Sequence, residues 1–193
     1  MSYFFTPHPF VAYDPTGQNT PSLAIDITRR FRLSEISRNN SLIFYNYDVK
    51  DSDRPDIMAE KYYQDPRLDW LFFITNNIFD PYFQWPLNQK QFEDYVRQKY
   101  GSTSSAQALN HHYEKIIQSR SEQVIYDGER IVIPERSLQV DYATYILLAP
   151  SVRRNIDCFT FEENENNRKR TIKILDAAFV PDVMREFKEI FIT

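Results

Sequence analysis

Three histidines and one cysteine limit the chemistry open to this chain. The densest group is His111-His112-x-Glu114. On a helix, His111 and Glu114 would share a face at i, i+3 and offer two metal ligands. No further Cys or His lies nearby to complete a set, and only His8 remains, near the N-terminus. Surface or capping roles are the favoured reading. Cys158 excludes an intrachain disulfide and fits a reducing compartment during folding. Between Asp157 and Phe159 it lacks a cation to stabilise a thiolate, so it reads as a small buried hydrophobe. The pairs Asp65/Asp69 and Glu162/Glu163 have the right type for acid–base work, which needs burial or a charged partner to separate two pKa values. They fall in a turn and in a charged run, so they read as solvated. No nucleophile elbow is present, and Gly17, Gly101 and Gly128 cannot build a phosphate-cradling loop. No catalytic residue, cofactor or metal is expected.

Composition points toward binding. The 193 residues suit one domain with appendages, long enough to bury a core without disulfides or metals. Fifteen Phe, thirteen Tyr and two Trp make an aromatic-rich chain, and aromatics serve both cores and protein contacts. The net charge of −4 implies no basic face, so nucleic acid is not an expected partner. No apolar run reaches the roughly 18 residues that span a bilayer. The start, MSYFFTPHPFVAYD, lacks the basic and apolar regions of a signal peptide, so the chain is expected to be made and kept in the cytoplasm.

The elements that would position these residues follow from periodicity. Tyr3, Phe4, Phe5, Phe10 and Tyr13 interleave with Pro7, Pro9, Pro15 and Pro21, which predicts an extended aromatic arm docked on another surface, preferably a neighbouring subunit. Residues 23–33 alternate as a strand with a break near Arg29-Arg30, and 41–49 read as another strand. Asp53 as N-cap and Pro55 in the first turn predict a helix carrying Ile57, Met58 and Tyr62. Gln64-Asp65-Pro66 ends it. The next helix, 66–78, is apolar nearly all round and so buried or sandwiched. Trp85-Pro86-Leu87 leads to a third helix, 88–100, with Phe92, Tyr95, Val96 and Tyr100 on one face. A polar linker, 101–105, precedes a helix over 106–118. Asp127-Gly128 between apolar runs predicts a hairpin. Residues 139–149 fit strand or helix, 162–170 form a solvated charged stretch, 171–175 alternate as a strand, and 181–191 carry helical spacing.

The segment from Asp53-Arg54-Pro55-Asp56 through Tyr62-Tyr63 resembles the first helix of a LysM-like module. Trp70, Asn77, Asp80-Pro81 and Trp85-Pro86-Leu87 extend the likeness. Together with Asp26 to Phe31 and Arg170 to Leu175, this pattern resembles the baseplate wedge protein family of contractile-tailed bacteriophages, over roughly 23–115 and 168–193. The short run Ile131-Val132-Ile133-Pro134 resembles the last strand of a LysM module. The resemblance implies an α+β fold: a LysM-like β-α-α core at 41–100 after an N-terminal arm and leading strand, 1–40. A helix and hairpin insertion, 101–168, and a C-terminal strand and helix, 169–193, complete it. It implies a virion tail protein that joins wedge proteins and bridges adjacent wedges, with no enzymatic activity. Partners would be other wedge proteins, the sheath-initiating subunit and copies in neighbouring wedges, with no membrane. The structural positions it marks are Arg54, Pro55, Asp56, Trp70, Asn77, Asp80, Pro81 and Trp85, and the aromatic arm adds Tyr3, Phe4, Phe5 and Phe10 as partner-binding or fold-defining residues. For Arg54 and Asp56 a partner contact competes with an ion pair at the helix start. The alternative function is a glycan-binding, peptidoglycan-directed module of phage cell-wall machinery.

Overall fold

The computed structural model describes residues 4–34, 40–124 and 130–192. It is a mixed α and β structure in two compact units, one joining 1–88 to 168–193 and the other spanning 89–167.

In the first unit, strands β1 (Phe10–Tyr13) and β2 (Ser22–Ile25) form an antiparallel hairpin, Phe10 facing Ile25 and Tyr13 facing Ser22. The arm is therefore not wholly extended. Its prolines stand outside both strands, where they remove no ladder hydrogen bond. The predicted strand over 23–33 stops at Ile25, and Phe31 and Leu33 are buried outside any strand.

Strand β3 (Phe44–Asp48) is followed by helices α1 (Pro55–Tyr63), α2 (Trp70–Thr75) and α3 (Pro81–Gln84). Asp53 is not the N-cap of α1. Arg54 holds that position without a side-chain bond, while Asp53 accepts from Lys50 N and Tyr47 Oη, both at 2.8 Å, and so fixes the β3–α1 turn. The helix predicted over 66–78 is broken. Asp65 caps a single 3-10 turn, Pro66–Leu68, and Asp69 then caps Trp70 N at 2.8 Å, so α2 starts afresh. Trp70, Leu71 and Phe72 are buried, as a helix apolar on most sides requires.

The strand closing this β-α-α run comes from far along the chain. β9 (Thr171–Leu175; β4 to β8 belong to the second unit) pairs antiparallel with β3, Phe44 facing Leu175 and Asp48 facing Thr171. The run Ile131–Ile133 does not take that place; it lies in a separate hairpin. Alternation in TIKIL buries Ile172 and Ile174. The last helix (Val180–Ile192; α8 in chain order) buries Val183, Phe187 and Phe191 at i, i+4, i+8. Two apolar clusters result. One gathers Phe31, Leu33, Trp70, Leu71 and the α8 stripe; the other gathers Met58, Ala59, Phe72, Ile172 and Ile174.

The second unit opens with α4 (Gln89–Tyr100) and α5 (Thr103–Ala108), the latter capped by Ser102 accepting from Ser105 N. The predicted polar linker is therefore mostly helix. Residues 110–118 are not helical. They form β4 (Asn110–Gln118), the centre of a three-stranded antiparallel sheet with β7 (Arg136–Val140) and β8 (Arg153–Asp157) on its flanks. Strands β5 (Ser121–Val124) and β6 (Arg130–Ile133) make the predicted hairpin; its Asp127-Gly128 turn lies outside the described residues. The ambiguous 139–149 run divides, ending β7 and then forming α6 (Tyr142–Leu147), capped by Asp141. The stretch predicted to be solvated lies largely in α7 (Cys158–Arg168), which buries Cys158, Glu162 and Asn166 at four-residue spacing.

Candidate interaction surfaces

The histidine group is reorganised by β4. Alternation along a strand places His112 and Glu114, not His111 and Glu114, on a common face. His112 Nε2 lies 3.3 Å from Glu114, whose carboxylate also takes Arg154 at 2.6 Å. Burial pushes Glu114 up, but the Arg154 and His112 hydrogen bonds outweigh it and hold the carboxyl below its usual range. His111 stacks on Phe161 with ring centroids 3.7 Å apart. Among the described residues no three His, Cys, Asp or Glu side chains are grouped to hold a metal. Among those residues no helix is long and apolar enough to cross a membrane.

Glu162 is a buried carboxylate with a structural setting. It accepts Lys99 Nζ at 2.6 Å, Tyr100 Oη at 2.8 Å and Tyr95 Oη at 3.1 Å. Burial raises its pKa, and these three donors more than reverse that. Tyr100, desolvated and tied to the same carboxylate, is pushed up to about 12. Lys99, Tyr100 and Tyr95 are all donors, and together they fix the carboxylate in place.

The marked residues separate into three groups. Tyr3 lies outside the described residues. Phe4 and His8 turn back onto their own core, where Phe4 stacks on Phe187 at 5.4 Å and tilts against Trp70 at 5.3 Å, and His8 stacks on Phe191 at 4.2 Å. Phe5 is half exposed beside them. Further along, Phe10 is 69% and Leu23 77% exposed. In the hairpin register Phe10 faces Ile25 and Ala12 faces Leu23, so these four share one apolar face.

The core markers have defined tasks. Pro55 occupies the first turn of α1, and Arg54 pairs with Asp56 at 2.9 Å in an exposed bridge. Trp70 is buried against Phe187 and Phe31. Asp80 caps α3 by accepting from Tyr82 N, and Pro81 fills its first turn. Trp85 meets Phe73 edge-on at 5.9 Å. Asn77 takes a left-handed φ of 53°. Its neighbour Asn76, which the sequence pattern did not single out, does the bonding. Asn76 Oδ1 accepts from Lys173 N at 2.7 Å and Nδ2 donates to Lys173 O at 2.8 Å, so an amide side chain pairs with β9 as a strand residue would. Arg170 stands in the sequence pattern but was given no task there. It donates to Val49 O at 3.1 Å and Leu87 O at 3.2 Å and pairs with Asp51 at 2.8 Å.

A second exposed aromatic group lies on and before α3. Phe79 and Phe83 are largely exposed, and Tyr82 is 87% exposed. Large aromatics grouped on a surface mark contact with another protein, since isolated folding leaves them wet.

Residues 3–190 match the phage family described as base plate wedge protein 53. The chain belongs to this family. It is therefore a baseplate wedge protein, a structural component of the phage tail. The baseplate wedge protein gp53 of Enterobacteria phage T4 is 30% identical over 111 residues. That alignment covers 56% of this chain and 55% of the relative, so the match spans little more than half of the relative's length.

Proposed function

We propose that this base plate wedge protein joins wedge proteins to one another and bridges adjacent wedges during tail assembly. Its partners are other wedge proteins, the sheath-initiating subunit and copies in neighbouring wedges. It works by contact and not by catalysis. The β3-α1-α2-β9 arrangement supports a LysM-like core used as a scaffold, since a fold carries no ligand with it.

The observation that carries this reading is the β1–β2 hairpin. Neither strand contains a charged residue, and one face shows Phe10, Leu23 and Ile25 to solvent. Two-stranded hairpins are marginal alone in water, and exposed edges are ordinarily guarded by charge or proline. An unguarded apolar ribbon fits a segment completed by a partner. The test is the double change Phe10→Ser and Leu23→Ser. The free protein should keep its melting temperature, because surface substitutions stay within about 0.5 kcal/mol. Incorporation into baseplates should fall. Full incorporation of the double variant would remove the hairpin from the assembly surface.

A further inference from the structure

The first unit contains a groove of about 940 Å³, walled by Ile27, Phe31, Trp70, Phe73 and Ile74, with Phe79 beside them. Trp70, Phe73 and Ile74 stand at i, i+3, i+4 on α2, so one helix face forms much of the apolar lining. We propose that this groove receives an extended segment of a partner protein in which an apolar side chain is flanked by a carboxylate, the carboxylate pairing with Arg30. The inference rests on the wedge-joining reading above and names the kind of partner segment it requires.

Charge at the groove identifies the occupant. Three arginines line it, and two are already answered: Arg29 by Asp26 at 3.4 Å and Arg67 by Asp65 at 2.8 Å. The lining carboxylate, Asp69, is engaged with the backbone N–H of Trp70 at the start of α2. Arg30 is exposed, lies 5.7 Å over the Phe79 ring and meets no carboxylate among the described residues. A guanidinium held over an aromatic face beside an apolar groove is set to take a carboxylate in a forked pair. Two buried polar side chains stand in the groove lining. Trp70, 6% exposed, and His8, 4% exposed, hold Nε1 and both ring nitrogens respectively without partners.

The experiment uses assembled baseplates. Hydroxyl-radical footprinting of the unsubstituted protein should show Phe79 protected in particles relative to the free chain. A photoreactive benzoyl-phenylalanine placed at position 79 should cross-link to a partner protein at a segment carrying Asp or Glu close to a large apolar residue. Arg30→Glu should lower incorporation by about tenfold. Changing the identified partner carboxylate to Lys should restore it. Cross-links confined to this chain, to a second copy, to glycan or to a segment without a carboxylate would overturn the proposal. So would unprotected Phe79, or normal incorporation of Arg30→Glu. In those cases the wedge-joining role stands, because the protein is still in the particle. Absence of the unsubstituted protein from baseplates would instead overturn both.

Discussion

Glu162→Gln removes one charge from the buried network of the second unit while keeping size and shape. Glu162 accepts three hydrogen bonds, from Lys99, Tyr100 and Tyr95, at 2.6 to 3.1 Å. Glutamine keeps one oxygen, but its amide would point at a donor where the carboxylate had a second acceptor. A hydrogen bond to a charged group contributes about 1.5–3 kcal/mol. Lys99 is half exposed and can turn to water when its partner is lost, which reduces the cost. A loss of about 2 kcal/mol is expected, and for a chain of this size each kcal/mol moves the melting temperature by about 2–4 °C, giving a drop of about 4–8 °C. Acid supplies the control. The folded carboxyl sits below its ordinary 4.5, so its contribution is full above that value and is lost as pH falls through the folded pKa. Calorimetry at pH 7 and in an acid series below 4.5 should therefore show a gap between parent and variant that narrows with acid. A gap under about 1 °C at pH 7, or one that acid leaves unchanged, would refute the reasoning.

Trp70→Ala should give insoluble or unfolded protein, since truncating a buried aromatic costs about 3–5 kcal/mol, and a soluble, normally folded variant would show that its packing with Phe187 and Phe31 is dispensable. Phe4→Ala should lower the melting temperature of the free protein, at a cost of about 2 kcal/mol for a half-buried ring, whereas the Phe10 and Leu23 changes should not; equal loss from both would deny that the arm divides in function. Arg170→Ala frees the carbonyls of Val49 and Leu87 and should cost about 2 kcal/mol in urea unfolding, with Arg170→Lys recovering only part of it. A pull-down on purified cell-wall sacculi should show no saturable, sugar-competed retention, and such retention would restore the glycan-binding reading.

Some of the structure follows from the sequence alone. TIKIL alternates cleanly and is β9, and the stripe Val183, Phe187, Phe191 is buried on α8, because a strong period on one apolar face admits one conformation. The family pattern was legible in Asp80-Pro81 and Trp85, whose turn and capping chemistry is local. Other features depend on residues far away in the chain. HHYEKII forms a strand because β7 and β8 flank it on both edges, and a short mixed run carries no such information. The stripe Cys158, Glu162, Asn166 has helical spacing, yet two of its members are polar, so hydropathy reads it as solvated. Glu162 is buried only because Lys99, Tyr95 and Tyr100, more than sixty positions earlier, bring it three donors. The choice of Asn76 over Asn77 was likewise tertiary, since Asn76 has a task only once β9 lies beside it. In the arm, Phe4 and His8 were as free as Phe10 to face a neighbour. The ring faces of Phe187, Phe191 and Trp70 decided which aromatics the chain keeps for itself, because area hidden within one molecule carries no cost of association.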